Sequence, residues 1–206
     1  MGSTSPLRVI KYLHKHTFET VEPYYAEADC SPSITTFLNE TCCLKDGGCH
    51  PARITVKLPE SVTEYVIAAS LARSSDNPGT DCRVTSFCIH DGDGNGYEYA
   101  IVESDNELIF WRESGWDRYD EVKTTANLPS KYDEWHILVA RRRDDGYHVV
   151  EVRTTSGKLL QKMTLTNTYY SGPFTHLSFC GGRPYYIDWV ALIPKYYEDV
   201  VPRPKV

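Results

Sequence analysis

Alternation with a period of two runs through this chain, and no helical period competes with it. Arg53-Ile54-Thr55-Val56-Lys57-Leu58 alternates polar and apolar side chains cleanly, and so do Tyr97 to Val102, His136 to Ala140, Tyr147 to Val152 and Phe174 to Phe179. Val, Ile, Thr, Tyr and Phe dominate these segments, as half-buried pleated strands require. Turn sequences separate them: Asp76-Asn77-Pro78-Gly79, Asp91 to Gly96, Ser156-Gly157 and Gly181-Gly182, with Arg143 to Tyr147 reading as a tight hairpin. Only Ser61 to Arg73 is ambiguous, since its composition suits a helix or a strand. About a dozen short strands in one chain predict an all-β fold, two antiparallel sheets packed as a jelly-roll sandwich. One domain, 16–206, is the expected body, with a Cys-rich loop at 27–51. Residues 1–15 form an N-terminal extension arm whose strand runs from Leu7 to Leu13.

Several function classes fall away on composition. The formal net charge of −6 argues against a nucleic-acid partner, whose phosphates demand dense Lys and Arg. No apolar run approaches the roughly 20 residues that a membrane-spanning helix needs, so membrane insertion is not expected. No H-E-x-x-H, G-x-S-x-G, P-loop or G-x-G-x-x-G is present. Glu103-Ser104-Asp105-Asn106-Glu107 has the E-x-D-x-E spacing of the catalytic strand in jelly-roll glycosidases. Such a strand needs apolar residues between its carboxylates, and Ser104 and Asn106 instead predict a hairpin turn. The expectation is therefore a protein that is not an enzyme.

The seven cysteines point to an oxidising compartment. Cys30, Cys42, Cys43 and Cys49 crowd one loop. Vicinal Cys42 and Cys43 cannot bond to each other without strain, which leaves Cys30 with either of them and Cys49 with the other. Cys82 and Cys88 are candidates for a third bridge, and Cys180, in the apolar run Leu177 to Cys180, is expected to be a buried thiol. Zinc is disfavoured because no C-x-x-C occurs. With the sequon Asn39-Glu40-Thr41 and no secretory leader at Met1 to Ser5, a mature extracellular protein is expected. Fifteen Tyr, two Met and one Gln suggest a chain selected to survive heat.

Asp91-Gly92-Asp93-Gly94-Asn95-Gly96-Tyr97-Glu98 is the strongest local motif. Asp91, Asp93 and Asn95 at alternate positions set three side-chain oxygens on one side, and the Tyr97 carbonyl follows as a fourth. The first half matches a calcium loop. The second half does not, because Val102 stands where a bidentate Glu is needed. A calcium-binding β-turn is expected, completed by Glu98 or a distant carboxylate. Trp111, Trp116, Tyr119, Trp135, Tyr185, Tyr186 and Trp189 could form a sugar-stacking face, although a sandwich core should claim about half of them.

Tyr132 to Ala140, Gly146 to Val150 and Gly181 to Leu192, the last containing Tyr186-Ile187-Asp188-Trp189-Val190, resemble the concanavalin-A-like jelly rolls. That resemblance implies that Asp188 helps to hold a structural calcium. The strand Leu7 to Leu13, the stretch Val21-Glu22-Pro23-Tyr24-Tyr25 with Asp29-Cys30-Ser31-Pro32, the acidic loop and the Tyr-rich, Gln-poor composition together resemble the secreted cannula subunits of hyperthermophilic archaea. The resemblance implies a structural subunit that polymerises into an extracellular tube or filament by calcium-dependent donor-strand complementation. Leu7, Val9, Ile10, Lys11 and Tyr12 would enter the neighbour's sheet. The competing reading is a calcium-dependent, lectin-like carbohydrate-binding module with a glycan as partner.

Overall fold

The computed structural model describes residues 11–27, 33–38, 40–45, 52–75, 84–103, 105–129, 132–181 and 185–203. Among them are fifteen strands and no helix. The first five are β1 (His14–His16), β2 (Tyr25–Glu27), β3 (Ser33–Phe37), β4 (Glu40–Lys45) and β5 (Ala52–Val62). Then come β6 (Tyr65–Arg73), β7 (Val84–His90), β8 (Gly96–Val102), β9 (Glu107–Ser114) and β10 (Asp117–Thr125). The last are β11 (His136–Arg142), β12 (Tyr147–Thr154), β13 (Leu159–Thr166), β14 (Phe174–Gly181) and β15 (Tyr185–Ile193). An eight-stranded sheet has the order β13-β12-β11-β6-β15-β4-β3, with β1 also on β15. A seven-stranded sheet has the order β10-β9-β8-β7-β14-β5-β2. Both are antiparallel, and they pack face to face as the alternation predicts.

The inner faces make one core. From the seven-stranded sheet come Ile54, Val56, Phe87, Ile89, Phe110, Leu177 and Phe179, and from the other Ile67, Leu71, Leu138, Val150, Ile187 and Leu192. A polar bridge crosses between the sheets inside this core. The Tyr65 and Tyr99 hydroxyls lie 2.5 Å apart, and the Tyr99 hydroxyl lies 2.9 Å from His148 Nδ1. Buried hydroxyls need such partners. The ambiguous stretch Ser61 to Arg73 resolves as the end of β5 and then β6, and every residue of β6 is buried. Its outward Val66 and Ala68 pack with Ile137 and Val139 beneath Tyr197 and Val201 of the C-terminal segment. Burial on both faces hides the alternation that marks a strand with one wet face.

Near the N-terminus a short strand, His14–His16, pairs with the chain's own β15, His14 opposite Leu192 and His16 opposite Val190. The Leu13 N–H donates to the Leu192 carbonyl, and the Tyr12 hydroxyl donates to the Arg203 carbonyl at 2.9 Å. Lys11 and Tyr12 of the expected donor strand thus precede a strand of their own sheet, while Leu7, Val9 and Ile10 lie outside the described residues. Phe18, wholly buried at φ +51, then packs on Tyr24 and Phe179 in the main core. An apolar ring between the sheets holds this segment in place. Phe18→Ala should therefore lower unfolding stability by about 3–5 kcal/mol. Urea denaturation measures it, and a loss below about 1 kcal/mol would show that the segment is not part of the core.

Candidate functional site

Alternation sends Ser86, Cys88 and His90 of β7 to the outward face of the seven-stranded sheet, with Glu98 of β8, Glu113 of β9, Ser178 of β14 and Arg53 of β5. The register sets them side by side: Ser178 opposes Cys88 and Glu98 opposes Trp111. Such a face is usually wet, yet Glu98, Cys88, Glu113 and Ser178 are fully buried here. Desolvated carboxylates need partners, and two guanidiniums supply them. Arg118 forks onto Glu98, Nε at 2.6 Å and Nη2 at 2.7 Å, while its guanidinium lies 4.3 Å over the Trp111 ring. Arg53 Nη2 lies 3.2 Å from Glu113, and its guanidinium is 3.7 Å from the Trp116 ring. Ser86 donates to Glu98 at 2.5 Å and the Cys88 thiol donates to Glu113 at 2.8 Å. Burial, and then the neighbouring Glu98, push the Glu113 carboxyl up to about 8. At neutral pH Glu113 therefore holds its proton.

A second chain of hydrogen bonds adjoins the carboxylates. His90 Nδ1 accepts the Gly92 N–H, so the ring proton sits on Nε2 and is donated to Ser178 Oγ at 2.7 Å, which in turn lies 2.7 Å from Thr55 Oγ1. Burial, then His176 and Arg53, lower His90 to about 3. The Trp116 indole stands edge-on to His90, with ring centroids 4.6 Å apart. Glycine is required where these rings approach the loop. A Cβ on Gly94, at φ +82, would lie 2.5 Å from the Trp116 ring, and one on Gly92, at φ +106, would lie 3.0 Å from His176.

The chemistry open to this arrangement is narrow. Glu98 is held by both arms of Arg118 and Glu113 by Arg53 and the Cys88 thiol, so each carboxyl is engaged inside the sheet face. His90 already carries a proton on the nitrogen facing Ser178, so it cannot take the serine's proton as a general base. Glu103 and Glu107, the other carboxylate pair, lie at a hairpin between β8 and β9, as expected. Glu103 is buried, which pushes it up to about 7, and Glu107 pairs with Lys123 at 3.4 Å.

Of the residues read as calcium ligands, Asp91 and Asn95 meet in one turn, and Asp188 stands apart from them. Asp91 Oδ1 accepts the N–H groups of Asp93 and Asn95 at 2.8 and 3.1 Å, and Oδ2 accepts from Asn95 Nδ2 at 2.9 Å. Partial burial disfavours the Asp91 charge, but these bonds outweigh it and hold the carboxyl below its ordinary value. Asn95 Oδ1 accepts the Gly115 N–H at 3.1 Å. Tyr97 runs in the ladder between β7 and β9 with its ring in the core, and Glu98 is taken by Arg118. Asp188 sits at a β15 bulge in the other sheet. It is five residues, about 17 Å of strand, from Ile193, which pairs with Val66 at the end nearest the loop. Among the described residues no group of three or more His, Cys, Asp or Glu is arranged to hold a metal. The Asp91 and Asn95 oxygens instead hold the turn around Trp116.

Cys88, half of an expected bridge to Cys82, is instead a free buried thiol. The extended β7 places it four residues, about 14 Å, beyond Val84, whereas a disulfide needs Cα atoms within about 7 Å. Cys180 is a free buried thiol, as expected. Cys42 and Cys43 fall in β4, and Cys30, Cys49 and Cys82 lie outside the described residues. Of the seven aromatics proposed for a sugar face, Trp111, Trp135, Tyr185 and Tyr186 are buried, while Trp116, Tyr119 and Trp189 keep exposure. The buried Arg–Glu array was missed in the sequence. Its one local signal is a Glu flanked by core tyrosines, Tyr97-Glu98-Tyr99.

No protein-family model matches the chain, and no curated protein sequence does. Solved structures do. A protein of unknown function from Shewanella oneidensis MR-1 superposes with a TM-score of 0.62 at 12% identity, over 100% of this chain and 99% of that one. The exoplasmic/lumenal domain of VIP36, in its Ca2+/Man3GlcNAc-bound form, gives 0.63 at 11% identity over 94% and 93%. The fold shared with these structures is an antiparallel jelly-roll sandwich. Galectin LEC-6 of Caenorhabditis elegans shares it with a TM-score of 0.50 at 10% identity, over 70% of this chain and 91% of the galectin. At such identities the likeness extends to the fold alone. The resemblance to cannula subunits gains no support from these neighbours.

Two predictions follow from the protonation states. Glu113 and Glu103 hold protons in the fold that the unfolded chain releases near pH 4.5, so stability falls as pH rises toward about 8 and 7. His14, His90, His136 and His148 stay neutral in the fold, at about 4, 3, 4 and 3, so stability falls as pH drops below 6.5. Maximal stability is expected near pH 6.5. Glu113→Gln should remove a loss of about 1.4 kcal/mol per pH unit between pH 6.5 and 8. Identical slopes for wild type and variant in chemical denaturation would refute the assignment. Separately, chelation by EDTA should leave the melting temperature unchanged, and a drop of several degrees would place a metal in this protein after all.

Proposed function

We propose that the chain is a carbohydrate-binding domain whose sugar site lies on the outward face of the seven-stranded sheet, around Trp116, Arg118 and His176. The observation that carries this reading is the Trp–Arg–Glu array. Arg118 is one-third exposed, and its Nη1 makes no hydrogen bond among the described residues, while Glu98 fixes the rest of the guanidinium. Half-buried Trp116 stands two residues before it in the β9–β10 turn and keeps part of its apolar surface exposed. A sugar ring offers an apolar face bordered by hydroxyls, and an indole next to a fixed planar donor matches both parts. Preorganisation favours binding, because the buried carboxylates have already immobilised the side chains.

Binding without turnover is part of the reading, since Glu98, Glu113 and Glu107 are each paired with a cation of the chain's own. VIP36 and the galectin supply the fold-level analogy, and an extracellular or lumenal setting suits the role. Calcium is not required at the Asp91 loop. Filament formation draws no support from the described residues, because β1 occupies the chain's own sheet.

A glycan array probed with the full chain tests the proposal. Wild type should bind a defined set of glycans with or without chelator. Arg118→Ala and Trp116→Phe should each weaken binding about tenfold or more, with a melting transition retained. If no glycan is bound above background, or if both variants bind as wild type does, the reading is wrong.

A further inference from the structure

A second aromatic platform lies just beyond this face, on the other side of β10. Tyr119 of β10 is 45% exposed and Tyr169, between β13 and β14, is 65% exposed, the highest value among the exposed large hydrophobic side chains of the described residues. Single exposed tyrosines need no explanation. These two share one buried guanidinium. The Arg112 centre is 4.8 Å from the Tyr119 ring and 4.0 Å from the Tyr169 ring. Arg112 Nε is held by Asp120 at 2.6 Å, and Asn167 Oδ1 accepts the Tyr169 N–H at 3.0 Å. Cation–π contact and these hydrogen bonds fix both rings while leaving them open to solvent. Rigid aromatic surface beside a half-exposed carboxylate is costly to maintain unless something uses it.

The platform continues the sugar face. Trp116 packs on the outward His90 and Arg53, whereas Tyr119 reaches Arg112 on the opposite side of β10. The two are three residues apart, at most about 10 Å along the chain. β10 is an edge strand, so no further strand blocks the way from one to the other. We infer that the ligand is an oligosaccharide chain, not a single terminal sugar, and that it crosses the free edge of β10 from Trp116 to the Tyr119–Tyr169 platform. This rests on the carbohydrate reading above and adds to it the length and path of the ligand. Asp120 and Tyr hydroxyls suit the alternating hydroxyls of such a chain and not the acyl chain of a lipid.

Calorimetric titration with mannose, glucose and galactose, and with the tri- and pentasaccharides of each, tests the inference. In one series affinity should rise with length in wild type. Tyr169→Ala and Tyr119→Ala should each remove about tenfold from pentasaccharide affinity and leave monosaccharide affinity within about twofold. Tyr169 is largely exposed, so its variant should fold, and an unchanged melting temperature checks this. Affinity that is flat with length, or variants equal to wild type at every length, overturns the second platform while the first stands. If no sugar of any length binds wild type, the carbohydrate reading fails and this inference falls with it.

Discussion

Glu98 and Glu113 sit without water on a sheet face that most sandwiches leave wet. An unpaired buried carboxylate is destabilising by several kcal/mol, and breaking a buried pair costs about 3–5 kcal/mol. The arrangement of this end of the molecule follows from meeting that demand. Arg118 must turn back across Trp111 to reach Glu98, and Arg53 must come from the far side of the sheet to reach Glu113. Trp116, folded over Arg53 and His90, needs glycine at position 94 beneath it. Glu113 meets the remaining penalty by keeping its proton. Side chains immobilised in this way are also a ready-made recognition surface, which links the electrostatics of the sheet to the proposed function.

The same logic explains the acidic loop. Its Asp91 and Asn95 oxygens are engaged within the loop itself and by the Gly115 N–H. They cap backbone N–H groups and hold the turn on which Trp116 rests, Asp91 through Asp93 and Asn95, and Asn95 through Gly115. A motif defined by alternating oxygens therefore serves two unlike purposes, and only the direction of the neighbouring N–H groups tells them apart. At the N-terminus, Phe18 has a place in the core between the sheets, and the strand before it pairs with β15.

Much of the architecture was legible in the residues. β5, β8, β11, β12 and β14 lie where alternation placed them, and the turn at Asp105 and Asn106 was visible in its composition. β6 was ambiguous because Val66 and Ala68 are buried under the C-terminal segment while Ile67 and Ala69 face the core. The site was not legible. Arg53 and Glu113 are 60 residues apart, and Arg118 and Glu98 are 20 apart. Taken singly, each reads as an ordinary charge on a strand's solvent face.

What the sequence alone determined is the period: side chains that alternate along extended segments can bury one face only by stacking two sheets, so the sandwich was fixed before any contact was known. The tertiary structure decided which of the remaining polar residues meet. Register placed Cys88 beside Ser178 and Glu113 beneath Arg53, and β10 folding back brought Arg118 to Glu98. Pairing between distant strands depends on a few ångströms of register and on what excludes water, and neither quantity is written in local sequence.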